Sequence, residues 1–316
     1  MSTDGRRAVV AFTDDWREDA ARRDFTFNAM SCTADGLLYD YFGGRADLAA
    51  GRVRFVGDAE TRIREDVLRL LRFFRFNAHY GRPPLDDAGL DACTRLASLL
   101  PTLSGERLAQ ETLRLLAAPN PIAIVSTMAE RGVLQAYLPE ARRIAMLKAL
   151  VTIEGITLGA DPVRRLAALV EGGEAAALAV ADRLRLSVAQ RVRLSALAKP
   201  ASWSPEASPQ ERRRAFNRVD DDLRGDLALI AWTTASAAAG GQLDRRTTEA
   251  WQVLFAEARA WRRRVLPVKG RDALAMGATP GPHLGALLDD LEAWWEAGDF
   301  AADREQCLAE LRKRLH

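Results

Sequence analysis

Residues 64–76 read Arg64-Glu65-Asp66-Val67-Leu68-Arg69-Leu70-Leu71-Arg72-Phe73-Phe74-Arg75-Phe76. The stretch predicts a helix, and it sets the reading of the chain on either side. Asp66, Arg69, Arg72 and Arg75 recur every three residues. At about 100° per residue, each step falls roughly 60° short of a full turn, so the four trace a slow spiral along one side. Val67, Leu70, Leu71 and Phe74 gather on the opposite side and can face a core. The spiral rises roughly 13 Å at about 1.5 Å per residue, similar to an extended nucleoside triphosphate.

A carboxylate offers only acceptors and a guanidinium only donors. Side by side, Asp66 and Arg69 would present an acceptor next to a donor. Cytosine and adenine each show an exocyclic amino group beside a ring-nitrogen acceptor; guanine and uracil show a carbonyl and an N–H there. Such a pair accepts C and A, and it leaves polar groups repelled or unpaired against G and U. Arg72 and Arg75, further along, can meet negative charge such as phosphate. The plainer alternative is a salt-bridged helix face with arginine stems packed on phenylalanine rings.

Towards the N-terminus the pattern changes. Residues 8–12 form a short apolar run of strand type, and residues 25–33 alternate and are rich in β-formers. Ala34-Asp35-Gly36 is a hairpin signal, with residues 37–42 as the returning strand. Before them lies Arg22-Arg23-Asp24, and Asp24 and Asn28 share a face if the segment is a strand. Arginine donors suit phosphate and an aspartate acceptor suits a ribose hydroxyl; the alternative is solvated charge before a strand. Gly43-Gly44 ends the strand region as a tight corner or hinge. Asp14-Asp15 reads as a helix start.

From about residue 58 onward the pattern is helical almost throughout, with breaks at Gly and Pro. Residues 199–209 form the best linker candidate. Arginines crowd residues 183–193, 262–264 and 269–271, as phosphate-binding surfaces or as ordinary solvated faces. Residues 277–285 are rich in Gly and Pro and open a helix near His283, and Asp220-Asp221-Asp222 reads as charge in a helix. Trp294-Trp295 reads as core. The fold class expected is therefore mainly α, a small N-terminal β portion followed by an all-helical remainder.

Composition narrows the class further. Apolar residues make up 48% and charged residues 28%, which fits a soluble globular protein. No apolar run approaches a membrane span, and residues 1–7 have no apolar segment behind them that would make a secretory signal, so a cytoplasmic protein is expected. Three scattered cysteines exclude a CxxC-type zinc site. Net charge is only +2, but Arg far outnumbers Lys, which suits planar recognition of phosphate and base edges or reflects a GC-rich genome.

Taken in order, Arg22-Arg23-Asp24-Phe25-Thr26-Phe27-Asn28-Ala29, then Asp40 to Leu48 with its Gly43-Gly44, then Glu65-Asp66 with Arg69, Arg72 and Arg75 resemble the RRDFTxNA, DxxGGxxDL and EDxxRxxRxxR motifs of the bacterial CCA-adding tRNA nucleotidyltransferase and poly(A) polymerase family. Ser104-Gly105-Glu106-Arg107 to Glu111 resembles that family's SxERIxxEL helix, with one residue of offset to the second Glu. The resemblance is dense over residues 8–140 and thinner beyond. It implies the end of a nucleotidyltransferase head over residues 1–50, a nucleotide-selecting neck over 51–140, a body over 141–200 and a tRNA-binding tail over 201–316. By the same resemblance Arg23, Asp24 and Asn28 belong to the nucleotide site, with Asp24 on the ribose. Asp66 and Arg69 form the protein template for C or A, Arg72 and Arg75 line the site, and Gly43 and Gly44 are the hinge. The implied substrates and partners are CTP, ATP and tRNA, with no membrane.

The family's head also carries a Gly-rich loop and an Asp-x-Asp pair that binds Mg²⁺. Those elements would precede residue 8, and no substitute is found in this chain. The expectation is an N-terminally truncated chain, inactive by itself: a mis-started gene, an expressed fragment, or one half of a two-chain enzyme completed by a separate head fragment. A poly(A) polymerase of the same family and a non-catalytic RNA-binding descendant are the alternatives, with an all-helical scaffold behind them.

Overall fold

The computed structural model describes residues 14–199 and 203–315. The apolar run at residues 8–12 lies outside them. The chain divides into two compact units, residues 1–199 and 200–316, the boundary falling inside the stretch read as a linker.

In the first unit α1 (Trp16–Ala21) starts at Asp15, whose carboxylate accepts from the backbone N–H of Arg17 and Glu18. A hairpin of two-residue strands follows: β1 (Ser31–Cys32) pairs antiparallel with β2 (Leu38–Tyr39), across the turn expected at Asp35-Gly36. Ten helices come next: α2 (Gly44–Ala50), α3 (Ala59–Glu65), α4 (Leu68–Tyr80), α5 (Asp87–Leu96), α6 (Gly105–Leu116), α7 (Ile122–Glu130), α8 (Ile144–Glu154), α9 (Pro162–Leu169), α10 (Gly173–Arg183) and α11 (Val188–Ala198). The second unit holds α12 (Pro209–Asn217), α13 (Asp221–Ala238), α14 (Arg245–Ala260), α15 (Gly270–Ala275), α16 (Pro282–Ala297) and α17 (Arg304–Leu315). The mainly α expectation holds. No helix among the described residues is long and apolar enough to cross a membrane.

Two local expectations are corrected. Residues 25–33 are not one strand. Phe25 makes a single antiparallel bridge to Phe55, residues Thr26–Asn28 form a 3₁₀ turn, and only Ser31 and Cys32 enter the hairpin. Local polar bonds displace the ladder: the Thr26 hydroxyl donates to Asp47 Oδ2 at 2.7 Å and Asn28 Nδ2 donates to Asp24 Oδ1 at 3.0 Å. Residues 64–76 are not one helix either. α3 ends at Asp66, whose backbone is extended (φ −151°, ψ 104°), and α4 begins two residues later. The Asp66 carboxylate accepts from Leu68 N–H at 3.1 Å, as a capping aspartate does.

The apolar side of α4 follows the expectation in part. Leu70, Leu71 and Phe74 are buried, but Val67 is only half-buried at the start of α4, and Leu68 and Phe73 join the buried side instead; α4 packs chiefly on α6. In the second unit Trp295 lies in a core with Val268, Leu291, Cys307 and Leu311, and its indole N–H donates to Ala302 O at 2.9 Å. Trp294 packs against that core from its edge.

Candidate nucleotide site

Of the residues singled out in the sequence, Asp24, Asn28, Arg69 and Arg72 come together where the 24–28 segment meets the start of α4. Asp24 is nearly buried. Its Oδ1 accepts from Phe25 N at 2.9 Å and from Asn28 Nδ2 at 3.0 Å. Its Oδ2 accepts from Arg72 Nε at 2.7 Å and Nη2 at 2.5 Å. A carboxylate has about four acceptor positions, and four protein donors occupy them. Asp24 and Asn28 are neighbours as expected, but the 3₁₀ turn brings them together, not strand alternation.

Asp66 and Arg69 do not bond to each other through their side chains. Arg69 Nη1 donates to Glu65 Oε2 at 2.7 Å and to Arg62 O at 3.1 Å, and Nη2 donates to Arg22 O at 2.9 Å. A guanidinium has five N–H groups, so two remain, one on Nη2 and one on Nε. Asp66 receives Arg107 Nη2 at 2.8 Å and Leu68 N at 3.1 Å, both on Oδ1. Oδ2 accepts no hydrogen bond among the described residues, and the side chain is 36% exposed. The pair therefore keeps an open acceptor and open donors, each held by neighbours from a different direction.

Arg107 and Glu65 are partners the sequence reading missed. Arg107 lies in the quoted Ser104–Glu111 segment, but forty-one residues separate it from Asp66, and nothing in the sequence marks the pairing. Ser104 caps α6 and sets the first turn on which Arg107 sits.

Arg75 departs from expectation. Its side chain is 13% exposed and lies 2.8 Å from Glu111 of α6, itself buried, with the guanidinium 4.2 Å from the Phe76 ring centre. Burial raises the Glu111 carboxyl above the usual carboxylate range and lowers the Arg75 guanidinium below its own. Arg75 thus joins α4 to α6 and turns its charge inward. Arg72 shares the Phe76 ring at 5.4 Å. Arg23 is exposed and bound to Asp19 at 2.8 Å; Arg23 and Arg22 together hold the Asp19 carboxyl below its usual range.

Gly43 and Gly44 make the corner that seats α2 against this cluster. Gly43 has φ +78°, open to glycine at no steric cost. At Gly44 a Cβ would stand 2.2 Å from the Thr26 carbonyl oxygen. The backbone of residue 44 thus lies against the segment that carries Asp24 and Asn28.

The basic segment at 183–193 is not an open cationic surface. Arg183 makes a two-pronged pair with Glu140 at 2.6 and 2.7 Å. Arg185 reaches Glu106 at 3.2 Å, Arg191 reaches Asp182 at 2.9 Å, and Arg193 reaches Asp161 at 2.8 Å. No group of three or more His, Cys, Asp or Glu side chains among the described residues converges to hold a metal ion. Asp221 and Asp222 sit in the first turn of α13, where Asp221 bonds Arg224 at 2.7 Å.

With the geometry in hand, the chain can be set beside known proteins. Residues 2–54 match the Poly A polymerase head domain, and residues 85–144 match the model described as the probable RNA and SrmB- binding site of polymerase A. The mitochondrial CCA tRNA nucleotidyltransferase 1 of Danio rerio is 30% identical over 316 residues, covering 98% of this chain and 70% of that protein. The CCA-adding enzyme of Levilactobacillus brevis is 30% identical over 92% of this chain and 71% of its own length. Over 134 residues the CCA-adding enzyme of Geobacillus stearothermophilus reaches 40%, covering 42% of this chain and 33% of that enzyme. In fold, the Bacillus stearothermophilus CCA-adding enzyme in complex with CTP superposes with a TM-score of 0.68 at 24% identity, over 96% of this chain and 75% of that one. The Thermotoga maritima CCA-adding enzyme complexed with tRNA gives 0.59 at 20% identity, over 95% and 74%. This chain belongs to the CCA tRNA nucleotidyltransferase family, the CCA-adding enzymes.

Proposed function

We propose that this chain selects CTP and ATP for addition to the 3′ end of tRNA. One observation carries the reading: Asp66 is held through Oδ1 alone, with Oδ2 open, beside an Arg69 that retains two N–H donors. Oδ2 can accept the exocyclic amino group of cytosine or adenine, while Arg69 donates to the adjacent ring nitrogen. Uracil and guanine would set a carbonyl against the carboxylate and an N–H against the guanidinium. Buried or half-buried polar groups left unpaired in this way give strong rejection.

Asp24 has the chemistry for a ribose hydroxyl, but its four acceptor positions are taken. Nucleotide binding is therefore accompanied by release of at least one Arg72 bond, which turns that guanidinium towards phosphate. Arg23, paired with Asp19 in this structure, is the proposed second cation for phosphate. The Gly43-Gly44 corner, where φ is unrestricted by a side chain, is the proposed hinge. Arg75 acts at one remove, by fixing α4 against α6.

The family's reaction calls for Mg²⁺ held by paired carboxylates. The described residues do not fit that ion: the candidate carboxylates sit in helix starts or in pairs with arginine. The metal-holding residues are proposed to come from a separate head segment, and the 316-residue polypeptide alone is expected to be silent in transfer. The cytoplasm is the proposed compartment.

Calorimetric titration of the chain with each of the four ribonucleoside triphosphates tests the selecting role. CTP and ATP should bind at least about tenfold tighter than UTP and GTP, about 1.4 kcal/mol, and Asp66→Ala should erase most of the gap. Equal affinity for all four would sink the reading. Robust incorporation of labelled CTP into tRNA lacking its 3′ end, by this polypeptide alone, would overturn the expected silence.

A further inference from the structure

An array of aromatic rings runs from the core of the first unit to its surface. Phe73 and Phe55 stack at 5.6 Å, Phe55 and Phe25 meet at 4.8 Å, and Phe25 and Phe27 stack at 5.8 Å. Phe27 meets Phe76 edge-on at 5.3 Å, and Phe76 meets Tyr80 at 6.1 Å. The first three rings are buried, Phe27 and Phe76 are half-buried, and Tyr80 is 63% exposed. The outer rings are thus mounted on a rigid interior, and they line a cleft of about 260 Å³ with Asn28, Leu48 and Arg52.

Two features give the cleft a chemistry. Arg52 is exposed and reaches a carboxylate, that of Asp47, only at 3.8 Å. A second cleft, of about 270 Å³, shares Arg52 and runs along the exposed Arg82. The backbone N–H of Arg82 donates to Gly51 O at 2.8 Å, which ties the two clefts side by side. Aromatic faces next to guanidinium groups are how proteins hold single-stranded nucleic acid: bases stack, and phosphates meet the cations. The cleft also adjoins the nucleotide site, because Asn28 lines it and bonds to Asp24.

We propose that this cleft binds the unpaired 3′ end of an RNA strand, one base stacking on the Phe27, Phe76 and Tyr80 rings and the following phosphate meeting Arg52 and Arg82. The proposal rests on the reading of Asp66 and Arg69 as base selectors, because it places the growing end beside Asn28, the partner of Asp24 in that site. Sequence did not single out any of Phe27, Tyr80, Arg52 or Arg82.

Fluorescence anisotropy of the full chain with two RNAs tests it. One is a hairpin with an unpaired 3′ overhang ending in CC; the other is the same hairpin with a blunt end. Tyr80→Leu should weaken overhang binding about tenfold, within the range stacking of one base gives, while blunt-end binding stays within about twofold. Tyr80→Phe should bind the overhang like the parent, and Arg52→Gln should weaken the overhang RNA and flatten its salt dependence. Unchanged overhang affinity in Tyr80→Leu overturns the proposal, as does an equal loss for both RNAs. Loss of CTP binding in Tyr80→Leu would show that the cleft takes the incoming nucleotide, and would overturn it too. If CTP is still preferred over UTP while Tyr80 proves indifferent, only this inference falls. If the CTP preference is absent, the selecting role falls independently.

Discussion

Asp40 shows how a single side chain shapes the corner before α2. Its Oδ2 accepts from the backbone N–H of Arg45 at 2.9 Å, and its Oδ1 from Gly44 at 2.8 Å and Phe42 at 3.3 Å. The Gly44 and Arg45 N–H groups open α2 and have no partner inside the helix, and the Phe42 bond ties in the residue before its cap. The bond from Arg45, then those from Gly44 and Phe42, hold the Asp40 carboxyl below the usual aspartate value of about 3.8. A carboxyl whose pKa is depressed by folding stabilises the folded state above the unfolded value, and that stability is lost as pH falls through the lower folded value. Asp40→Ala should therefore cost about 1 kcal/mol near neutral pH, and the gap between parent and variant should close as pH drops below about 3.8. Thermal melts of both proteins across that range check it; a gap that stays constant would show that Asp40 acts through packing alone.

At the scale of elements, buried charge ties α6, α8 and α9 together. Glu154, at the end of α8, receives Arg164 Nε at 2.9 Å on Oε1 and Arg165 Nε at 2.6 Å on Oε2. The three side chains are 1–3% exposed. Arg165 also donates to the carbonyls of Leu116 and Ala118, at 2.6 Å each, and so closes the C-terminal end of α6. That helix carries Arg107 in its first turn and Glu111 at its middle, so the triad helps to set the α6 position on which Asp66 and Arg75 depend. Removing the shared carboxylate leaves the Arg165 guanidinium buried without its counter-charge and takes one carboxylate away from Arg164. Glu154→Ala should cost about 3–5 kcal/mol, read as a lower urea midpoint in far-ultraviolet circular dichroism. Glu154→Gln keeps one acceptor and should fall between. A loss below about 1 kcal/mol for Glu154→Ala would mean that water replaces the carboxylate.

At the scale of the molecule, the two units carry different reporters. Six of the seven tryptophans belong to the second unit, and the remaining one, Trp16, is exposed in the first. Tryptophan fluorescence therefore reads mainly the second unit, whereas circular dichroism reads both. The second unit also has its own apolar cluster around Leu291, Trp295 and Leu311. Residues 203–316 expressed alone should give a helical spectrum and one cooperative fluorescence transition in urea. A broad, non-cooperative transition would sink the proposed boundary. Such a chain has no single unfolding free energy, so the Glu154 variants should move the dichroism transition and leave the fluorescence transition in place.

The sequence by itself determined the family, the mainly α class and the residues to watch, because local order and spacing carry that information. The RRD, GG and EDxxR stretches fall in one order, the Asp35-Gly36 turn specifies its hairpin, and the burial of Leu70, Leu71 and Phe74 in α4 follows from helical periodicity. Tertiary structure decided what those residues do to one another. Periodicity ran one helix through Asp66, but a capping bond to Leu68 broke it, and the carboxylate was then held by Arg107 from forty-one residues away. It also turned Arg75 inward onto Glu111, paired each of the four arginines of residues 183–193 with a carboxylate, and joined Phe27, Phe76 and Tyr80 into one cleft. The reason is physical: a propensity or a cap is fixed by neighbours within a turn or two, whereas the partner of a charge or a ring is fixed by which distant element packs beside it.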